Sequence, residues 1–85
     1  MTDITKVSVV FFASLRDALG QDRLEVEADT TTALLDALRQ QLSTEHFSLL
    51  TAQGVRIALN HDLIEGDCAL GNGDEVAFLP PVTGG

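Results

Sequence analysis

Disulfide staples are missing from this sequence, which has a single cysteine, Cys68, in 85 residues. A small domain without cross-links must rely on an economical core or a partner, because ordering costs roughly 1.5 kcal/mol per residue. Metal does not replace the staple: His46 and His61 are the only histidines, and they lack the ligand spacing of a structural zinc site. Tryptophan and tyrosine are absent, so Phe11, Phe12, Phe47 and Phe78 are the whole aromatic supply. Bases are scarce, with five Lys and Arg against thirteen Asp and Glu and a net charge of -8. Phosphate binding requires a basic surface, so neither nucleic acid nor an anionic membrane is expected as a partner. A basic or mixed-charge protein suits the charge better. No long apolar span or secretory signal is visible, and the expected location is the cytoplasm. No G-x-G-x-x-G follows a strand and no P-loop is present, which removes the common phosphate-cradling folds.

What remains is strongly apolar for its charge. Hydrophobic residues make up 45% of the chain, too many for a disordered acidic protein, and the length allows one core. "KVSVVFF" predicts a strand with Val7, Val9 and Phe11 on one face. Val10 and Phe12 extend the apolar run on the other face, which is therefore expected to be partly covered, by protein or by a partner. "ASLRDALG" predicts a short helical turn closed by Gly20. "RLEVE" predicts a half-buried strand with Leu24 and Val26 inward, pairing with the first across a long connection.

"DTTTALLDALRQQL" carries the clearest helical period, with Leu34, Leu38 and Leu42 four residues apart and Leu35 widening the stripe. Asp29 or Thr30 can cap its start. "HFSLL" is compatible with a short strand or a core-anchored loop. "GVRIALN" predicts a strand with Val55, Ile57 and Leu59 on one face. Gly66, Gly71 and Gly73 punctuate the stretch before "EVAFL", a final strand that Pro80 ends. A hairpin, one substantial helix and returning strands predict an α+β roll, with the helix on one face of the sheet.

Few side chains suggest chemistry. Neither histidine has a nucleophile or second base beside it in sequence. Cys68 is flanked by acids in "EGDCALG", the wrong setting for an activated thiolate, and is expected to be structural. Asp62, Glu65, Asp67, Asp74 and Glu75 match no calcium loop and are expected to form a solvated acidic rim or a docking surface. The tail "PPVTGG" is different. Pro80 and Pro81 restrict φ and favour an extended path away from the sheet. Gly84 and Gly85 have no side chains and can pass through a narrow channel to present a carboxylate. Two readings follow: a stiff stalk with a threadable working tip, or an ordinary frayed terminus.

"VVFFASLRDALG", "IALN" and above all "GDEVAFLPPVTGG" resemble the small, sulfur-carrying subunits of molybdopterin synthase. The similarity runs through most of the chain and is weakest between about residues 40 and 54. The resemblance implies a ubiquitin-like β-grasp domain over residues 1–79, a mixed sheet packed on one main helix, with an extended tail over residues 80–85. It implies that Gly85 is the catalytic carrier, adenylated and then converted to a thiocarboxylate that donates sulfur to cyclic pyranopterin monophosphate. Pro80, Pro81, Val82, Thr83 and Gly84 would form the inserted tail. Phe12, Leu63 and Leu79 would form the apolar docking surface, although core packing is the competing role for Phe12 and Leu63.

The implied partners are the synthase large subunit in a heterotetramer, a ubiquitin-activator-like adenylyltransferase, and a sulfur donor protein. No cofactor or metal is expected on this chain itself. ATP with magnesium is used by the activating enzyme, and sulfur rides covalently on Gly85. The chain would be the sulfur-donating part of an enzyme complex and not catalytic alone. Competing assignments are a carrier for thiamine thiazole synthesis or tRNA thiolation, which would share the Gly-Gly end, and a ubiquitin-like interaction module that is never thiolated. A stand-alone enzyme is disfavoured by the missing catalytic cluster.

Overall fold

The computed structural model describes residues 4–81. The first strand, β1 (Lys6–Phe11), turns sharply into helix α1 (Ala13–Leu19), which ends on Gly20 in the left-handed conformation. Strand β2 (Arg23–Glu27) returns antiparallel to β1, so the hairpin predicted from the alternating residues forms with a helix inside its connection. Helix α2 (Thr31–Gln41) follows, then α3 (Thr44–Leu50), β3 (Arg56–Leu59), β4 (Asp62–Ile64) and β5 (Glu75–Leu79). The sheet order is β2-β1-β5-β3-β4. β5 lies parallel to β1 and antiparallel to β3. The last strand is therefore central, and the tail departs from a strand held on both sides.

Strand alternation divides the sheet into two faces. Val7, Val9 and Phe11 of β1, Val26 of β2, and Val76 and Phe78 of β5 point to the helical side and are buried. The Phe11 and Phe78 rings meet there, tilted, with centroids 6.0 Å apart. Leu34 and Leu38 of α2, Leu15 and Leu19 of α1, and Leu50 of α3 close this core. The period-four leucines thus do what their spacing predicts, and Leu42 and Leu35 pack at its margin. Thr30 is the N-cap of α2, its side chain accepting from the Ala33 N–H at 3.1 Å.

The "HFSLL" segment corrects the sequence reading: it is helix α3, not a strand or a loop. Ser43 caps it by accepting from the His46 N–H at 3.1 Å. Phe47 and Leu50 are three residues apart and share the face toward the core, while Leu49 is exposed. A helix this short does not stand alone in water, and burial of Leu50 against the core holds it.

The long β4–β5 connection is tied to the start of α2. The Thr31 N–H donates to Cys68 O at 2.9 Å, and the Leu70 N–H donates to Asp29 O at 2.8 Å. Thr31, only 2% exposed, accepts from the Cys68 N–H through its hydroxyl at 2.6 Å. Asp67 Oδ1 accepts from the Thr32 N–H at 2.8 Å and from the Thr32 hydroxyl at 2.7 Å. The run of threonines is poor helix interior but serves as a clasp at the helix entrance.

Candidate functional site

The face of the sheet away from the helices is charged along β2 but carries an apolar row toward the tail. Strand register aligns Val10, Ala77, Ala58 and Leu63 in one row across β1, β5, β3 and β4. Ala58 and Ala77 are small and recessed, both buried, whereas Leu63 at the sheet edge is 54% exposed. One step toward the tail, Leu79 pairs with Arg56, and Phe12 is 43% exposed. A shallow cleft of about 190 Å³ is lined by Phe12, Ala58, His61, Glu75, Ala77 and Leu79. A second depression is lined by Gly54, Arg56, Leu63, Leu79, Pro80 and Pro81. Leu79 belongs to both, so the apolar strip is continuous with the start of the tail.

Of the two roles weighed for Phe12 and Leu63, the structure selects exposure over core packing. It brings Phe12 and Leu79 onto one cleft and Leu63 and Leu79 onto the next. Pro80 and Pro81 follow directly on β5, Pro80 half-buried and Pro81 exposed. Val82, Thr83, Gly84 and Gly85 lie outside the described residues. Sequence reasoning placed Val10 with Phe12 on this face and Ala77 with Leu79, but passed over Ala58 as part of its floor and Gly54 and Arg56 at the tail exit. Strict alternation on β5 was enough to place Ala77 with Leu79. Gly54 had no signal beyond being a glycine before a strand.

The polar border of this face is acidic with two bases set into it. Glu75 lies 3.6 Å from the Arg23 guanidinium and 3.8 Å from His61 Nε2. These pairs are solvent-exposed and add little to stability, but they give the rim a mixed charge pattern. His61 shares the tight β3–β4 turn with Asn60, both at positive φ (78° and 49°), the signature of a two-residue hairpin turn. Asn60 anchors that turn by donating to Asp74 Oδ1 and accepting from the Glu75 N–H, each at 3.0 Å.

The acidic cluster separates into different duties. Asp74 accepts from the Gly71 N–H at 2.7 Å, and this bond, with that from Asn60, holds its carboxyl below the usual value of 3.8. The Asp67 carboxyl is lowered in the same direction, first by the Thr32 hydroxyl, then by the Thr32 N–H. Both are structural acceptors, while Asp62 and Glu65 are exposed. Cys68 is half-buried, and its backbone engages Thr31. Among the described residues, no group of three or more His, Cys, Asp or Glu is arranged to hold a metal ion. The face is apolar at its centre, and the His61–Glu75 contact lies at its border.

A mixed five-stranded sheet with its main helix on one face, and the last strand central, defines the ubiquitin-like β-grasp class. The chain belongs to the ThiS family, whose model matches residues 9–85. It is 43% identical over 82 residues to the molybdopterin synthase sulfur carrier subunit of Escherichia coli K12, covering 93% of this chain and 99% of that one. The protein of the same name from Mycobacterium tuberculosis is 37% identical, with 94% and 98% covered. Among solved structures, the small archaeal modifier protein 1 of Methanosarcina acetivorans superposes with a TM-score of 0.79 over 99% of this chain and 100% of that one. Its 24% identity is evidence for the fold alone. A chain from the Helicobacter pylori complex of subunits 1 and 2 of molybdopterin-converting factor gives a TM-score of 0.70 at 28% identity, covering 95% and 100%.

Proposed function

We propose that this chain is the sulfur carrier of molybdopterin synthase, the sulfur-donating subunit of a sulfurtransferase complex that has no catalytic activity alone. The observation that carries the reading is the 43% identity to a molybdopterin synthase sulfur carrier subunit across nearly the whole of both chains. A carrier for thiazole synthesis or tRNA thiolation would share the ThiS-family fold. The three curated relatives matched here all bear the synthase name and favour that pathway.

The chemistry assigns one role to Gly85. Its carboxylate oxygen attacks the α-phosphorus of ATP on an adenylyltransferase, and pyrophosphate leaves. Sulfur released by a donor protein as hydrosulfide then attacks the acyl carbon and displaces AMP, a far better leaving group than oxide, and loss of the S–H proton leaves the thiocarboxylate. This thiocarboxylate sulfur attacks a side-chain carbon of cyclic pyranopterin monophosphate in the large subunit, and the oxygen bonded to that carbon leaves. Water cleaves the acyl C–S bond, restoring the Gly85 carboxylate and leaving sulfur on the pterin. Two rounds supply a dithiolene. Magnesium and the acid–base groups belong to the partners.

The domain of residues 1–79 is the handle and residues 80–85 are the working tail. Phe12, Leu63 and Leu79 dock the handle on the large subunit, within a heterotetramer. Pro80 and Pro81 begin the stalk; Val82, Thr83 and Gly84 occupy the channel, where glycine at 84 admits the tip. The activating enzyme reads the same apolar strip in its turn. The cytoplasm, where ATP is abundant, is the compartment this cycle requires. Among the described residues, no helix is long and apolar enough to cross a membrane. Deletion of Gly85 tests the assignment: the variant should fold and bind but transfer no sulfur, and transfer at the normal rate would refute it.

A further inference from the structure

We propose that Gly54 is a positioning residue for the sulfur-bearing tail: the space left by its missing side chain seats Pro81 and sets the direction in which the chain leaves the domain. The inference rests on the carrier reading above and names a further residue that it needs.

Gly54 lies in the turn between α3 and β3, at φ +91°, next to a bond from the Val55 N–H to Ala52 O at 3.2 Å. A Cβ built there would stand 2.8 Å from Pro81 Cβ and 3.5 Å from its Cγ, so one of the two would have to move. Gly20, Gly66 and Gly73 also have positive φ, yet a Cβ on any of them meets nothing within 4 Å. Backbone conformation alone accounts for those three. At Gly54 a second constraint is added, because the place of its side chain is taken by the stalk.

The contact falls where direction is decided. Leu79 is the last residue paired with β3, through Arg56. Pro80 has no N–H to extend the ladder, so at Pro80 and Pro81 packing joins the prolines' fixed φ in guiding the chain. Pro81 then lies against Gly54 in the depression shared with Leu63 and Leu79, which joins the base of the stalk to the docking strip. Four residues follow Pro81 in the sequence and can reach at most about 14 Å. The exit direction at Pro81 sets where those four residues begin their path to the reacting carboxyl group.

Gly54→Ala in the wild-type, Pro81→Ala and Pro81→Gly backgrounds tests the notch. Alanine at 81 keeps the Cβ that collides, whereas glycine removes it. Single-turnover sulfur transfer from carrier whose thiolation has been verified by mass should fall about tenfold or more on Gly54→Ala in the first two backgrounds, and less than about twofold in the third. The fall in melting temperature from φ strain should be the same in all three. Equal transfer losses in every background, or no loss in any, would overturn the proposal. Failure to thiolate even the wild-type carrier would instead count against the function proposed above. Should Gly54→Ala not fold, nuclear Overhauser contacts between Gly54 Hα and the Pro81 ring in the free wild-type protein decide: their presence is expected, and their absence overturns the notch.

Discussion

Phe11 and Phe12 are adjacent in the chain and opposite in fate: one is 1% exposed, the other 43%. The same division runs along β5, where Phe78 is buried and Leu79 opens onto the cleft at the tail exit. The helices cover one face of the sheet; the other is charged along β2 and apolar toward the tail, from Val10 and Ala77 to Leu63 and Leu79. The covered face holds the domain together. The open face leaves Phe12 and Leu63 largely exposed, as the docking surface proposed above requires.

That contrast is breakable by substitution on either side. Phe78→Ala removes a fully buried ring beside Phe11 and should cost about 3–5 kcal/mol in denaturant unfolding, a large part of a small domain's stability. A loss below about 1 kcal/mol would mean that the helical face is not the core described. Leu79→Asp should instead leave the melting temperature nearly unchanged while weakening large-subunit binding about 100-fold, because a carboxylate would be buried without a partner. Unchanged affinity in calorimetry would remove Leu79 from the interface.

Phe12→Ala and Leu63→Ala sharpen the map of the open face. Each should weaken the same binding by about tenfold, the two losses combining non-additively if they fill one continuous partner surface. If only one of them matters, the docking strip is narrower than the apolar row. The smallest effect belongs to a residue on neither face. Asp67 has its carboxyl held below 3.8 by the Thr32 bonds, so its contribution is present above that pH and is lost as the pH falls through the lowered value. Thermal melts from pH 6 downward should therefore show a smaller acid-induced drop for Asp67→Ala than for the wild type. Parallel curves would deny the clasp any electrostatic part.

The roll, the α2 stripe and the inward residues of β1, β2 and β5 were legible because each is a local period. Helix α3 was not: Phe47 and Leu50 fit a helical period while Phe47 and Leu49 fit a strand, and seven residues are too few to decide. Its surviving clue was Ser43 three residues before His46, a cap that means little until a core is near. Phe12 and Leu63 could not be assigned from sequence because exposure depends on which face the helices choose and on a register joining residues far apart. Asp67 was placed on an acidic rim, since nothing local tells that its carboxylate meets Thr32, 35 residues away. The tail lay at the other extreme. Its prolines and glycines suggested a stalk and a threadable tip without any fold, beside the alternative of a frayed end; residues 82–85 lie outside the described residues, and what the tail carries came from the family resemblance.

The central claim is that the tail carries sulfur on Gly85, and intact mass spectrometry tests it most directly. Carrier incubated with the activating enzyme, ATP and a sulfur donor should gain the mass of one sulfur replacing one oxygen, and fragmentation should place the change on Gly85. An unchanged mass, or a sulfur located on Cys68, would contradict the account.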